Sequence, residues 1–528
     1  MRSSVVVNSL ISLATVAAAA QAQRPGRGQP PAQPATAEQP AAARDTSRQM
    51  AGGAPREESS VTEHTIRMGG QAISYKATSA TMILKNDSGA PIGSIYYTAY
   101  TRNDTRDMSQ RPLSFIYNGG PGSASMWLHM GAFGPRRIVT TEAAPTPPAP
   151  YQLVDNESTL LDITDMVFID PVGTGFSKPV GKGSGKDFWG VDEDARSLTQ
   201  FVYQYVSRNS RWNSPKYLIG ESYGTTRSAV LVNRLQGREG MGFNGVVLIS
   251  SVLDFETLVF APGHDISYVL YLPSYAATAA YHHAIPTPTN LAAFLDTVRQ
   301  WATGPYEAAL DKGSALPASE RAAVLRQLSA YTGLSQDYLD KANLRVNLAQ
   351  FNQELNRSKG MVAGRLDSRF LGPEMNLLSE RSEYDPQSEA ITSAYTTAIN
   401  TYLRDELKFP ADDQRYVTGG AVQPWNWARE GQGRGWRSAT YVGGDLAEAL
   451  VSNPNLRVEV ENGYYDMATP FFATEYTMDH LGVNAELRSH IGLKYYEAGH
   501  MMYLHLADLA RLKANIAAFI GSTSHVGQ

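Results

Sequence analysis

The chain changes texture several times, and each change marks an element. From Val61 to about Tyr100 the pattern is that of β-structure. Ile73-Ser74-Tyr75-Lys76 and Ile92-Gly93-Ser94-Ile95-Tyr96-Tyr97 read as strands, with Asn86-Asp87-Ser88-Gly89 as the turn between them. Next come short runs that are almost wholly apolar: Leu113 to Tyr117, Met166 to Ile169, Tyr217 to Ile219 and Val246 to Ile249. A strand apolar at every position is buried on both faces, which predicts a mostly parallel sheet covered by helices. The strand–turn–strand start then forms an antiparallel edge. From residue 256 to 440 the pattern is helical. Leu344, Leu348, Phe351 and Leu355 recur at i, i+4, i+7 and i+11, one face of a helix, and a second such region runs from Glu389 to Leu407. Strand character returns at Leu456 to Val460 and Gly492 to Tyr496, and a last helix is expected from Leu504 to Phe519.

Composition narrows the class. The chain has 528 residues, 42% of them apolar and 18% charged, with a formal charge of −5, so it can bury a large core. No basic stripe points to nucleic acid as a partner. Residues 1–22 read as a signal peptide: Arg2 opens it, Val5 to Ala20 is apolar or small, and Ala20-Gln21-Ala22 is a small-x-small cleavage site. Residues 23–60 are rich in Pro, Ala, Gln and Gly and read as a disordered tether. No later stretch is long and apolar enough to cross a bilayer, so no stable membrane insertion is expected after cleavage. The absence of cysteine excludes disulfides, thiolate metal sites and a cysteine nucleophile, and suits a protein secreted or held in a bacterial periplasm. No cofactor and no metal site is expected.

The chemistry begins at Gly220-Glu221-Ser222-Tyr223-Gly224, between the strand Lys216 to Ile219 and a small, aliphatic run from Ser228 to Val232. This is a nucleophile elbow, a turn tight enough to demand glycine on both sides of its serine. A serine hydroxyl is a weak nucleophile and needs a placed base. His500, in the turn after the last strand, suits that role, because its ordinary pKa is about 6.5. Asp466 follows the preceding strand within Asn462-Gly463-Tyr464-Tyr465-Asp466-Met467 and would fix the imidazole. Asp479 is the competing acid but lies in an expected helix, and His480, His490 and His505 read as surface or helix residues. The order Ser222, Asp466, His500 is that of the α/β-hydrolases. The expected fold is therefore an α/β-hydrolase: core residues 61–255, a helical cap inserted at 256–440, and core again at 441–528. One oxyanion donor should be the N–H of Tyr223, and the other should come from the loop Asn118-Gly119-Gly120-Pro121-Gly122.

Four segments together resemble the serine carboxypeptidases: Asn118-Gly119-Gly120-Pro121-Gly122-Ser123, Asp170-Pro171-Val172-Gly173-Thr174-Gly175-Phe176-Ser177, the elbow, and Ala498-Gly499-His500-Met501. The resemblance implies that Gly120 and Tyr223 form the oxyanion hole. It further implies that Asn118, with Gly119, and Glu221 bind the free carboxylate of a peptide's C-terminal residue, and that Met501 lines the pocket of the leaving residue. Two carboxyl groups in contact cannot both ionise cheaply, so one keeps its proton and exopeptidase activity should favour acidic pH. The chain departs from the family pattern at Ile116, where a tryptophan is usual, at Ser123 in place of a cysteine, and at Ala132 in place of a second acid. The expected activity is release of C-terminal amino acids from peptides through an acyl-enzyme. The alternative on the same scaffold is an esterase, amidase or acyltransferase, and a non-catalytic envelope binding protein is the third possibility.

Overall fold

The computed structural model describes residues 55–420, 422–430 and 439–524. The expected signal peptide and most of the expected tether lie outside them. The central sheet is ten-stranded. Its main path uses β1 (Ser59–Met68), β2 (Gln71–Lys85), β3 (Pro91–Arg102), β4 (Leu113–Tyr117), β5 (Asp165–Ile169), β6 (Lys216–Glu221), β7 (Gly245–Ile249), β8 (Arg457–Gly463) and β9 (Ile491–Tyr496). The spatial order is β1-β2-β3-β5-β4-β6-β7-β8-β9, with the short strand Lys178–Pro179 added beside β3. From β5 to β9 every neighbouring pair is parallel, and the β1-β2-β3 meander joins β5 antiparallel.

The apolar strands alternate between two cores. Ile116, Phe168, Ile219 and Val247 face one cluster, closed by α-helical Leu512 and Ile516. Phe115, Val167, Leu218 and Val246 face the other, under helices α1 (Val191–Arg208) and α2 (Tyr223–Glu239). Burial on both faces is why these strands lack any polar period. β1 starts at Ser59, inside the stretch assigned to the tether. It pairs with β2 along its whole length, burying Ile66 and Met68, and just before it Glu57 accepts a bond from the Ile83 amide at 2.9 Å.

The insertion lies between β7 and β8. It contains α3 (Ile266–Tyr281) and α4 (Pro386–Thr401) among shorter helices, and also an antiparallel pair, Met361–Ala363 with Leu371–Pro373. Its apolar cluster extends to Tyr464, Tyr465, Met467 and Phe471 on the segment after β8, so insertion and core share packing beside Asp466. One expectation needs correction here. The helix through Leu344 to Leu355 is shorter, Leu348–Glu354, because Asn343 and Leu344 turn left-handed at φ 50° and 65° and Asn347 caps the new start. Leu344 and Phe351 are buried all the same, so the period reported a buried face and not a continuous helix. The chain returns to the core by Val417, which exchanges backbone bonds with Gly175 at 2.7 and 2.9 Å, and Trp425 and Trp427 then pack edge-on against Tyr223.

Candidate active site

Ser222 sits in the turn between β6 and α2 with φ 60° and ψ −130°, a conformation a non-glycine residue holds only under constraint. The constraint is visible on both sides. A Cβ on Gly220 would lie 2.3 Å from the Gly224 carbonyl oxygen, and one on Gly224 would lie 3.0 Å from the Tyr117 carbonyl. Strand, turn and helix therefore pass closer than any side chain allows, and Ser222 remains half-buried between the buried Glu221 and Tyr223. At the start of α2 the Thr225 amide already donates to the Ser222 carbonyl at 2.8 Å, which leaves the amides of Tyr223 and Gly224 without an intrahelical partner. The Gly119-Gly120 loop closes on the same place: a Cβ on Gly119 would be 2.4 Å from the Tyr223 nitrogen, and Gly120 has φ 104°.

The other two residues come from the ends of β8 and β9. Asp466 is fully buried, and its Oδ2 accepts a 2.8 Å bond from His500 Nδ1. Its remaining capacity is filled by the amides of Ala468 and Thr469 at 2.8 and 3.0 Å and by the Thr469 hydroxyl at 2.6 Å. Burial pulls the His500 pKa down, but the charge and hydrogen bond of Asp466 outweigh it, leaving the imidazole above its ordinary 6.5. β7 links serine and histidine. The Ser222 amide donates to the Ile249 carbonyl at 2.9 Å, and the next residue, Ser250, donates its hydroxyl to the His500 carbonyl at 2.7 Å.

Asn118 and Glu221 meet directly, with Asn118 Nδ2 donating to Glu221 Oε1 at 2.8 Å. Burial lifts the Glu221 pKa from 4.5 to about 7, against the lowering effects of His500, Tyr503 and Asn118. Asn118 is itself fixed. Its side-chain oxygen accepts from the Leu128 amide at 3.0 Å, and its carbonyl accepts from Arg227 Nη1 at 2.6 Å. Arg227 is fully buried in an ion pair with Asp194 at 2.7 Å, between the Tyr117 and Tyr223 rings. Asp170 of the second motif holds the same loop from below, accepting from the Ser125 amide at 2.8 Å, and burial raises its pKa to about 6.

The structure joins Asp466 to His500 and Asn118 to Glu221, sets Gly119 against the Tyr223 nitrogen, and adds several residues with no sequence signal. Met501 is buried and receives a 2.9 Å bond at sulfur from Gln387 Nε2 of α4. Tyr395 of α4 and Tyr503 crowd Gly131, where a Cβ would lie 2.2 Å from the Tyr395 hydroxyl. Both tyrosines feel the Glu221 charge, and neither the Tyr503 hydroxyl nor Glu221 Oε2 has a partner of normal geometry among the described residues. The Tyr395 hydroxyl and the Tyr503 ring stand against Gly131, the neighbour in the chain of Ala132, where the second acid of the family pattern is missing. The competing acid, Asp479, ends the helix Phe471–Asp479 with its side chain exposed and pairs with Arg488. His505 pairs with Asp508 and Glu142. Among the described residues no cluster of acidic and histidine side chains could hold a metal ion.

A parallel sheet of this order, a strained serine after β6, and an acid–histidine pair beyond β8 and β9 define an α/β-hydrolase. Residues 90–261, which carry the Asn118 loop and the elbow, match the model of the serine carboxypeptidases. Pheromone-processing carboxypeptidase KEX1 of Saccharomyces cerevisiae is 33% identical over 113 residues, 21% of this chain and 14% of the relative, so the match spans a small part of that protein. The crystal structure of yeast KEX1(delta)p superposes over 85% of this chain and 92% of its own, with a TM-score of 0.49 and 15% identity. Proline iminopeptidase of Mycobacterium smegmatis covers 88% of this chain and 99% of its own, with a TM-score of 0.34 and 14% identity.

Proposed function

We propose that this protein is a serine carboxypeptidase that removes single amino acids from the C-termini of peptides. His500 takes the proton of Ser222 as the serine oxygen attacks the scissile carbonyl carbon. The N–H groups of Tyr223 and Gly120 receive the oxyanion. The imidazolium, held by Asp466, passes its proton to the departing amine as the C–N bond breaks, leaving an acyl ester on Ser222. Water, deprotonated by His500, then attacks the ester carbon; the peptide acid leaves and the serine regains its proton. The neutral Glu221 carboxyl and the Asn118 amide bind the free carboxylate of the departing residue, which selects exopeptidase over endopeptidase cleavage. Met501, Tyr395 and Tyr503 line the pocket for that residue's side chain.

The observation that carries this reading is the buried Asn118–Glu221 pair directly next to the serine of the elbow. An esterase or amidase has no use for a protonated carboxyl at that place. The cleavage site after Ala22 supports export, and no helix of the described residues is long and apolar enough to cross a membrane. The test compares an N-blocked dipeptide bearing a free carboxylate with its C-terminal amide, for the mature protein and for Ser222→Ala. Preference for the free acid, with activity and fluorophosphonate labelling both lost in Ser222→Ala, is the expected result. Equal rates on acid and amide would transfer the chain to the esterase, amidase or acyltransferase reading.

A further inference from the structure

The turns that carry Asp466 and His500 belong to different strands, yet one short stretch of the insertion, Arg365-Leu366-Asp367-Ser368-Arg369, bonds to both. On the acid's side, the Met467 amide donates to the Arg365 carbonyl at 3.1 Å, and the Tyr465 carbonyl accepts from the amide and hydroxyl of Ser368, each at 3.0 Å. On the histidine's side, the His500 amide donates to the Leu366 carbonyl at 2.7 Å, and the Gly499 amide donates to Asp367 Oδ2 at 3.2 Å. A Cβ on Gly499 would fall 2.4 Å from Asp367, so the histidine turn is glycine there because the Asp367 side chain lies against it.

Asp367 is held in turn. Arg369 donates Nη2 to its Oδ2 at 2.7 Å and Nε to its Oδ1 at 3.0 Å, and reaches the Glu497 carbonyl with Nη1 at 3.1 Å. Both side chains are almost fully buried, at 0% and 3% exposure. Arg369 also lies 5.7 Å over the Tyr465 ring and 3.5 Å from Glu142, which pairs with His505 at the surface. The far end of the stretch is tied down by Asp385, which caps α4 and accepts from the amides of Arg365 and Leu366 at 2.6 and 3.1 Å. A buried ion pair of this kind is a poor source of stability, because desolvation offsets its attraction. It is well suited to fixing geometry, since the planar guanidinium fork permits one arrangement of its partners.

We propose that residues 365–369 are a clamp that sets the spacing between Asp466 and His500, with Asp367 and Arg369 as positioning residues for the histidine turn. The inference rests on the reading of Asp466 and His500 as acid and base of a serine hydrolase. It assigns the insertion a part in the catalytic geometry besides that of a cover over the substrate.

The test uses Arg369→Ala, Arg369→Lys and Asp367→Asn in the full mature protein. Arg345→Ala serves as the control, because it removes a comparable two-bond pair, with Asp265, elsewhere in the insertion. A displacement of the base by about 1 Å costs on the order of 10²-fold in rate, so Arg369→Ala should lower kcat by about that factor while KM changes less than about threefold. The rate of fluorophosphonate labelling at Ser222 should fall in parallel, and the downfield Nδ1–H proton resonance of His500 should broaden or vanish. Arg369→Lys keeps the charge without the fork and should recover part of the loss. Arg345→Ala should keep kcat and the resonance. If Arg369→Ala does not fold, Asp367→Asn, which preserves shape, carries the same test. Wild-type labelling rates and an unchanged resonance in the folded variants would overturn the clamp and leave the carboxypeptidase reading standing. Failure of the wild-type protein itself to label at Ser222 would overturn that reading instead.

Discussion

Glu221→Gln separates the electrostatics of the Asn118–Glu221 pair from its shape. In the folded protein burial holds the Glu221 carboxyl at about 7 against an ordinary 4.5. A group whose folded pKa is raised contributes stability in full below its unfolded pKa, and loses it as pH rises through the folded value. Here that window runs from 4.5 to about 7. The interval of about 2.5 pH units, at about 1.4 kcal/mol each, makes the ionised form costlier by ~3 kcal/mol at pH 8. Glutamine never ionises and can still accept the Asn118 bond through its oxygen. Glu221→Gln should therefore unfold at a higher temperature than wild type at pH 8, and at nearly the same temperature at pH 4. Binding follows the same proton. Only the neutral carboxyl tolerates a substrate carboxylate, so the KM ratio of free acid to amide should rise about tenfold per pH unit above about 7 in wild type and stay flat in Glu221→Gln. Taking the ratio removes the titration of His500, which acts on both substrates alike. Thermal melts and steady-state kinetics from pH 4 to 8.5 provide the measurement. A wild-type ratio independent of pH, or a Gln variant less stable than wild type at pH 8, would refute the reasoning.

Further outcomes follow from the same geometry. Asp466→Asn leaves the amide partners of residue 466 in place but deprives His500 of its charged partner, so kcat should fall by about 10⁴. The acidic limb of the residual pH–rate profile should move to lower pH, because Asp466 is what holds His500 above 6.5. Gly220→Ala places a methyl 2.3 Å from a backbone oxygen that cannot yield, and a denaturant melt should register a loss of about 1–3 kcal/mol together with activity.

Much of the molecule was legible along the chain. Apolar runs between turn signals gave the parallel strands to within a few residues, because strands buried on both faces are largely apolar. The strand–turn–strand start gave the antiparallel edge, because the turn residues Asn86 to Gly89 bring consecutive strands back side by side. The elbow was legible because its strain allows few residues, so Gly220 and Gly224 are written into the sequence beside Ser222. The insertion was less legible. Its helical period is real, but at Leu344 a buried position was reached by a left-handed turn, which period alone cannot distinguish from a helix.

The sequence by itself determined the sheet, the elbow and the order of Ser222, Asp466 and His500, since each depends on local sterics or on chain order. Only the tertiary structure decided what surrounds them. That Asn118 meets Glu221 depends on the pairing of β4 with β6, and that Tyr395 stands against Gly131 and residues 365–369 bond to both the Asp466 and His500 turns depends on how the insertion folds back over the sheet. Those contacts join residues about a hundred or more positions apart through backbone amides, carbonyls and burial, and such groups leave no pattern in the sequence of either partner.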